Sequence, residues 1–434
     1  MSALSDHELA GLVEPDRVHR RVYTDPAVFA LERERLFARA WLYVGHESQV
    51  PKPGDFLAGR LDRDPILLTR HKDGALHVLR NRCAHRGAKV CLHESGNAPR
   101  FQCPYHGWTY DSDGALFGVP SKHLFPEGFA FEGLARVPRV ASYRGFVFAS
   151  QAATGPALED WLGGIRSAID NMVDRAPDGE LEIIPGVQKH VFRANWKMQI
   201  ENLQDAAHPA FVHESSNYRP SAEARREQRQ VRGESFMAAN AVAAAAMDRS
   251  GIVGFPYGHS YLGGLPVEMK VSEAAAAEYR RRLVARHGEA RTAEILGVDR
   301  HQQIVYPTVT FQSLFQTVKM IHPLAVDLTE INAFSFRLKG APDEYHQMAI
   351  TFLNVTNSAA SPILGDDMAV YESAQQALAA PGAEWVNFAA GRDQDTAEGN
   401  DARRGRGLSE LAMRNQFAAW RDYMLADARR EAAE

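Results

Sequence analysis

Two short stretches of this sequence each set a thiol beside an imidazole. NRCAHRGAKV carries Cys83 and His85 as a Cys-x-His pair, and FQCPYHGWTY carries Cys103 and His106 as a Cys-x-x-His pair. Turn-forming neighbours follow each pair, Arg86-Gly87 and Gly107-Trp108. Two thiolates and two neutral imidazoles suit tetrahedral zinc, or a [2Fe–2S] cluster in which two cysteines hold one iron and two histidines the other. Zinc fingers usually pair Cys with Cys and His with His along the chain. Here each motif mixes the two, as loops closing on a cluster from opposite sides require, and the cluster is the favoured reading. Imidazole in place of thiolate removes negative charge and raises the potential of such a cluster.

A second constellation lies in ANWKMQIENLQDAAHPAFVHESS, with Glu201, Asn202, Asp205, His208 and His213. Two histidines and one carboxylate on one face of ferrous iron leave positions open for dioxygen and substrate. Alone, two histidines are more often core or solvent-facing residues. On a regular helix, positions 208 and 213 would point about 140° apart. Pro209 removes a backbone donor and disturbs the preceding turn, so a distorted or ending helix would let the imidazoles converge. Asp205 and His208, three apart, share a face without distortion. A carboxylate has to come from downstream, where PILGDDMAVYESAQQAL offers Asp366 and Asp367. Both could instead cap a helix N-terminus, where carboxylates are favoured.

The elements that must position these residues divide the chain into three stretches. Residues 1–40 look helical, with Leu31, Leu36 and Phe37 at helical spacing. Residues 41–150 change to short strands with Asp73-Gly74 and Asp113-Gly114 as hairpin turns, a small all-β domain with candidate strands Phe56–Leu61, Pro65–Arg70 and Leu76–Arg80. Residues 151–434 return to helices, expected over Leu158–Met172, Trp196–Phe211 and Glu273–Leu296. A run of strands over 304–356, a polar loop over 391–407 and a docked final helix with Met413, Phe417, Trp420 and Met424 on one face follow. The fold class is α+β, an antiparallel sheet with helices against it. The 434 residues carry a net charge of −5 with no dense basic stretch, which speaks against nucleic acid. The alanine-rich run Met237–Met247 is too short to span a bilayer and is expected to pack on the core as a helix. Three cysteines and no signal-peptide pattern point to a reducing, cytoplasmic setting without a disulfide framework.

CAHRGA followed by CPYHGWTYDSDGALFGVP resembles the Rieske domain of the bacterial ring-hydroxylating oxygenases. Cytochrome-complex Rieske proteins carry an extra cysteine pair that forms a disulfide, whereas Cys91 has no remaining partner and is expected to be a buried apolar residue. The string from Asn195 to His213 is similar to the iron motif of the same oxygenases, NWK…EN-x-x-D-x-x-H-x-x-x-x-H. The resemblance implies a catalytic domain of helix-grip type, a [2Fe–2S] cluster on Cys83, His85, Cys103 and His106, and a mononuclear Fe(2+) on His208 and His213. It selects Asp367 over Asp366 as third ligand, because Asp367 stands five residues before Glu372. It makes Asp205 a bridge from His208 to His106 of a neighbouring protomer and puts Asn202 near the metal. It also implies a head-to-tail homotrimer, with or without a small β subunit, because the two metal sites of one chain would lie too far apart for electron transfer. The family often has tyrosine where this chain has Ala207.

Electrons would come from NAD(P)H through a separate reductase or ferredoxin, since the chain has no G-x-G-x-x-G fingerprint. The expected activity is O2-dependent hydroxylation of an aromatic substrate, as a cis-diol or a single hydroxyl, with an aromatic carboxylate preferred on the likeness of SELAMRNQFAAWRDYM. Alternatives are a monooxygenase or oxidative demethylase acting on a quaternary amine or an O- or N-methyl group. Readings of other classes are an electron carrier using the cluster alone and a zinc-stabilised binding protein.

Overall fold

Short strands separated by tight turns build the first of two compact units, residues 37–158. The computed structural model describes residues 4–213, 247–264, 271–399 and 401–426. In this unit Leu76–Arg80, Asp64–Arg70, Asp55–Leu61 and Ser95–Asn97 form one antiparallel sheet. A second sheet joins Leu116–Gly118, Thr109–Asp111 and Arg100–Gln102, and a third joins Arg139–Tyr143, Phe146–Ser150 and Leu42–His46. The hairpin turns fall at Asp73-Gly74 and Asp113-Gly114, with both glycines at positive φ. Phe56, Leu67, Leu79, Phe101, Trp108 and Tyr110 form the core, and Cys91 is packed among them as an apolar filler.

The second unit comprises residues 1–36 and 159–434. Its frame is a ten-stranded antiparallel sheet. Leu328–Leu338 pairs with Thr317–Ala325, then come Val309–Gln312, Gln302–Val305, Ser260–Gly263 and Gly251–Gly254; Gln188–Phe192 and Leu181–Ile183 also pair with Leu328–Leu338. The final helix, Leu411–Met424, buries Met413, Phe417, Trp420 and Met424 as its spacing predicts.

Six expectations need correction. Residues 1–40 are not helical throughout, since Val13–Glu14 pairs with Arg17–His19 as a short hairpin, and the helix expected over 158–172 is interrupted by a tighter turn at Gly163–Ile165. The helix expected over 196–211 is two pieces, Lys197–Leu203 and the single turn Pro209–Val212. The helix expected over 273–296 breaks at Gly288, whose φ of 78° lets the chain turn between Glu273–His287 and Glu289–Gly297. The strand run over 304–356 stops at Leu338 and gives way to the helix Asp343–Asn357. The polar stretch 391–407 is not simply a loop: Thr396–Glu398 and Ala402–Arg406 extend the large sheet at its edge. The run Met237–Met247 lies, except for its last residue, outside the described residues.

The helix that leads to the second constellation starts from a buried charge. Lys197 Nζ lies 2.5 Å from Glu32 Oε1, and both side chains are fully buried. Trp196 and Trp420 donate to Glu32 at 3.0 and 2.7 Å, and Lys197 also donates to the Val22 carbonyl. A buried ion pair of this kind holds its geometry because losing either partner strands a charge.

Candidate metal centres

The two thiol–imidazole loops have the same backbone trace. Cys83 N donates to Ala88 O at 2.8 Å and Gly87 N to Cys83 O at 2.9 Å; Cys103 N donates to Trp108 O at 2.8 Å and Gly107 N to Cys103 O at 3.0 Å. Gly87 and Gly107 sit at φ 75° and 71°, a left-handed conformation that glycine adopts without a Cβ penalty. Each loop thus presents a buried thiol at its base and an imidazole near its rim. The His85 and His106 ring centroids are 4.5 Å apart, and His85 stacks on Trp108 at an interplanar angle of 2°. The Tyr110 hydroxyl lies 3.2 Å from Cys83 Sγ and accepts from Ala84 N. Nδ1 of His85 is buried without a hydrogen-bond partner among the described residues. A buried lone pair facing a second histidine, with two buried thiols beneath, fits a cluster that takes imidazole on one iron and thiolate on the other.

In the second unit, the break after Leu203 gathers the other set. Asp205 Oδ1 accepts from the amides of Ala207 and His208, which turns the chain before Pro209 starts the next short turn. His208 and His213 therefore flank one turn instead of opposing each other on a continuous helix. The ligand atoms of His208, His213 and Asp367 lie within 4.8 Å of one another. His208 Nε2 and His213 Nε2 are 3.7 and 3.4 Å from Asp367 Oδ1, separations that two metal–ligand bonds of roughly 2 Å can span. Asp366 faces elsewhere, with Oδ2 3.5 Å from His213 Nδ1. Neither aspartate caps its helix: Pro362–Ala379 is capped by Ser361, which accepts from Leu364 N.

The proton placement suits a metal. His208 Nδ1 is 2.8 Å from the Asp205 carbonyl, which only accepts, so Nδ1 carries the hydrogen and Nε2 keeps its lone pair. Burial lowers the His208 pKa, opposed by the charges of Asp367 and Asp205. Asn202 Nδ2 lies 3.0 Å from both Asp367 Oδ1 and His208 Nε2, covering the lone pairs a cation would take. The expected carboxylate contact of Asp205 with His208 is not made directly: Oδ2 stands 4.0 Å from Nδ1, and the side chain is partly exposed.

Beside Asn202, Glu201 accepts from the Tyr23 hydroxyl and from Gln416 Nε2, both at 2.9 Å. Burial pushes its carboxyl up to about 8 against the opposing pull of Tyr23 and Lys197. Below about pH 4.5 folded and unfolded chains both hold this proton. Between about 4.5 and 8 only the folded chain holds it, so its contribution to stability falls as pH rises through that window and is flat above it. Glu201→Gln is expected to flatten this slope in urea denaturation measured from about pH 5 to 8; an unchanged slope would show that Glu201 is ionised in the folded protein.

Two residues around these centres were not foreseen: Tyr110 on the Cys83 sulfur and Trp108 under His85. Trp108 and Tyr110 alternate along the strand entry after the second loop, which was the available signal. Phe315, a candidate pocket residue by type, stacks on Phe352 at 3.6 Å and belongs to the core. A cleft of about 720 Å³ lined by Asp248, Arg300, Arg404 and Arg406 shares no residue with either centre. Its arginines are engaged by Asp248, Glu398 and the Ser167 carbonyl.

Comparison with known proteins agrees with both centres. Residues 40–138 match the Rieske [2Fe-2S] domain, and residues 158–426 match the ring hydroxylating alpha subunit (catalytic domain). The chain is 35% identical to toluate 1,2-dioxygenase subunit alpha of Pseudomonas putida, over 86% of this chain and 82% of that one. It is 30% identical to the 2-halobenzoate 1,2-dioxygenase large subunit of Burkholderia cepacia, over 91% of this chain and 84% of that one. A crystal structure of naphthalene 1,2-dioxygenase from Rhodococcus sp. bound to indole superposes with a TM-score of 0.77 at 27% identity, covering 94% of each chain. Among the described residues, no helix is long and apolar enough to cross a membrane.

Proposed function

Because the chain belongs to the Rieske-type ring-hydroxylating oxygenase alpha subunits, we propose that it is the terminal oxygenase for an aromatic carboxylate. Two relatives whose names specify toluate and 2-halobenzoate support that substrate class. The observation that carries the reading is the convergence of His208, His213 and Asp367 in a chain that also presents two matched Cys/His loops.

In this reading Cys83, His85, Cys103 and His106 hold the [2Fe–2S] cluster, and His208, His213 and Asp367 hold the mononuclear iron. Once bound, the cluster supplies single electrons and the iron activates dioxygen. The protein's own residues do the positioning. The buried thiols and the Tyr110 hydroxyl fix the cluster end, hydrogen bonding to sulfur being one lever on its potential. The Asp205 carbonyl fixes the His208 tautomer, and Asp366 orients His213. The partly exposed Asp205 carboxylate would meet His106 of a neighbouring protomer, an arrangement that calls for a head-to-tail ring closed by heterologous contacts. A reductase or ferredoxin drawing on NAD(P)H supplies the electrons, in a cytoplasmic setting that keeps all three cysteines reduced, with or without a small β subunit.

The test is turnover by the iron-loaded protein with a reductase of this family and NADH. Benzoate-type acids are expected to give oxygenated products with stoichiometric O2 uptake. Oxidation of quaternary amines or N-methyl compounds, with the acids untouched, would replace this substrate class with the alternative one.

A further inference from the structure

Lys319 is buried in the middle of the large sheet, and among the described residues its side chain donates no hydrogen bond and forms no ion pair. Its strand, Thr317–Ala325, is flanked on both sides, with Thr310 and Ala333 directly opposite Lys319. Directly paired residues share a face, as do residues two apart, so Gln312, Ile331 and, across from Ile331, His190 lie on the Lys319 side.

That face is unusually rich in unmet polar capacity. Thr310 Oγ1, Gln312 Oε1 and both ring nitrogens of His190 are buried without a hydrogen-bond partner among the described residues. Buried polar atoms are ordinarily satisfied, so atoms left without a partner beside a lysine mark a place where a polar group can be taken up. The same face lies under the metal centre. Phe192, two residues beyond His190, packs against Tyr371 at 5.0 Å, one turn after Asp367 on the same helix. Gln204, next to Asp205, donates to the carbonyl of Gln302, whose strand partner is Gln312. Burial pushes the Lys319 pKa down to about 8, while the charge of Asp367 pulls it up. The side chain is therefore near enough to Asp367 to feel its charge.

We propose that Lys319 is the counter-ion for the substrate's carboxylate, with the Thr310 hydroxyl donating to the same group, so that the aromatic ring is held toward the open side of the His208–His213–Asp367 centre. The proposal rests on the aromatic-acid reading above and adds the residues that select the acid. Ala333 opposite Lys319 leaves the ammonium unscreened by a larger neighbour, and Gln312 Oε1 remains to accept from a hydroxyl or amino substituent on the ring.

The test compares holoenzymes of wild type, Lys319→Met, Lys319→Arg and Thr310→Val. Benzoate and its neutral counterpart benzamide are titrated calorimetrically and assayed for turnover, and iron content and cluster absorption are measured on each protein. Removing one partner of a buried charge pair is expected to weaken benzoate binding by about 10²- to 10³-fold in Lys319→Met. KM should rise by a similar factor with a much smaller change in kcat, and benzamide should be unaffected or better bound. Lys319→Arg is expected to recover part of the benzoate affinity, and Thr310→Val to lose roughly tenfold. Unchanged benzoate affinity in Lys319→Met would overturn the proposal while leaving the aromatic-acid reading in place. Loss of the mononuclear iron in that variant would overturn it too, by assigning the lysine to the metal centre. Wild-type protein that binds no aromatic acid would instead overturn the aromatic-acid reading, and the proposal with it.

Discussion

Asp367→Ala is expected to lower iron from about three to about two atoms per chain, leave the cluster absorption intact, and reduce turnover by more than about 100-fold. The magnitude follows from position: changes to residues that merely orient a ligand already cost about 10- to 100-fold in metal affinity or activity, and a ligand should exceed that. Asp367 Oδ1 is the atom that both histidine Nε2 atoms approach, at 3.4 and 3.7 Å. Asp366→Ala is the internal control. Its carboxylate lies 3.5 Å from the far nitrogen of His213 and not among the three converging ligand atoms, so the variant should keep most of its iron and lose on the order of tenfold in activity. Iron quantification with cluster absorbance on the two purified variants decides the matter; the reverse pattern would exchange the two roles.

Asp205→Ala separates electron delivery from metal binding. Its carboxylate makes no direct contact with His208 Nδ1, whose hydrogen goes to the Asp205 main-chain carbonyl instead, so iron content should hold. What the variant loses locally is the cap on the Ala207 and His208 amides, worth about 1 kcal/mol. A loss of that size lowers the melting temperature by only a few degrees. Turnover driven by NADH should nevertheless fall by about 100-fold or more if Asp205 bridges to His106 of a neighbour. Reduced cluster that no longer re-oxidises on addition of substrate and O2, in a protein with full metal content, is the expected signature. Wild-type turnover would remove Asp205 from the electron path.

How much of this was readable beforehand depended on how local each feature is. The cluster loops are local: thiol, imidazole and glycine stand within five residues, and their backbone turns close on themselves, so sequence alone located them. The histidines at 208 and 213 were readable as a motif, and Pro209 pointed to the break that lets them converge, but the turn that makes the break was not. The pattern from Trp196 to Phe211 looks like continuous helix, and only the folded chain shows Asp205 taking the amides that a helix would use. The doublet itself does not separate Asp366 from Asp367; the resemblance chose Asp367 by its spacing to Glu372, and in the fold it is Asp367 that lies with His208 and His213.

The misread stretches share a physical cause. Asp343–Asn357 is helical despite Ile350, Thr351, Val355 and Thr356, residues with weak helix preference, because it buries Ala349, Phe352 and Leu353. Thr396–Glu398 is exposed throughout and so carries no alternation to announce an edge strand; pairing with Ala402–Arg406 makes it one. Lys319 carried no signal at all. A single lysine in a strand suggests a solvated face, and only the strands on either side, far away in sequence, bury it beneath the metal centre.

The central claim is that one chain carries both a [2Fe–2S] cluster and a separate iron. Iron, zinc and acid-labile sulfide should therefore be quantified on anaerobically purified protein, with its electron paramagnetic resonance spectrum recorded after reduction. Three irons and two sulfides per chain, with the paramagnetic signal of a reduced [2Fe–2S] cluster, are predicted. Zinc in stoichiometric amount, or iron without sulfide, would contradict the account at its root.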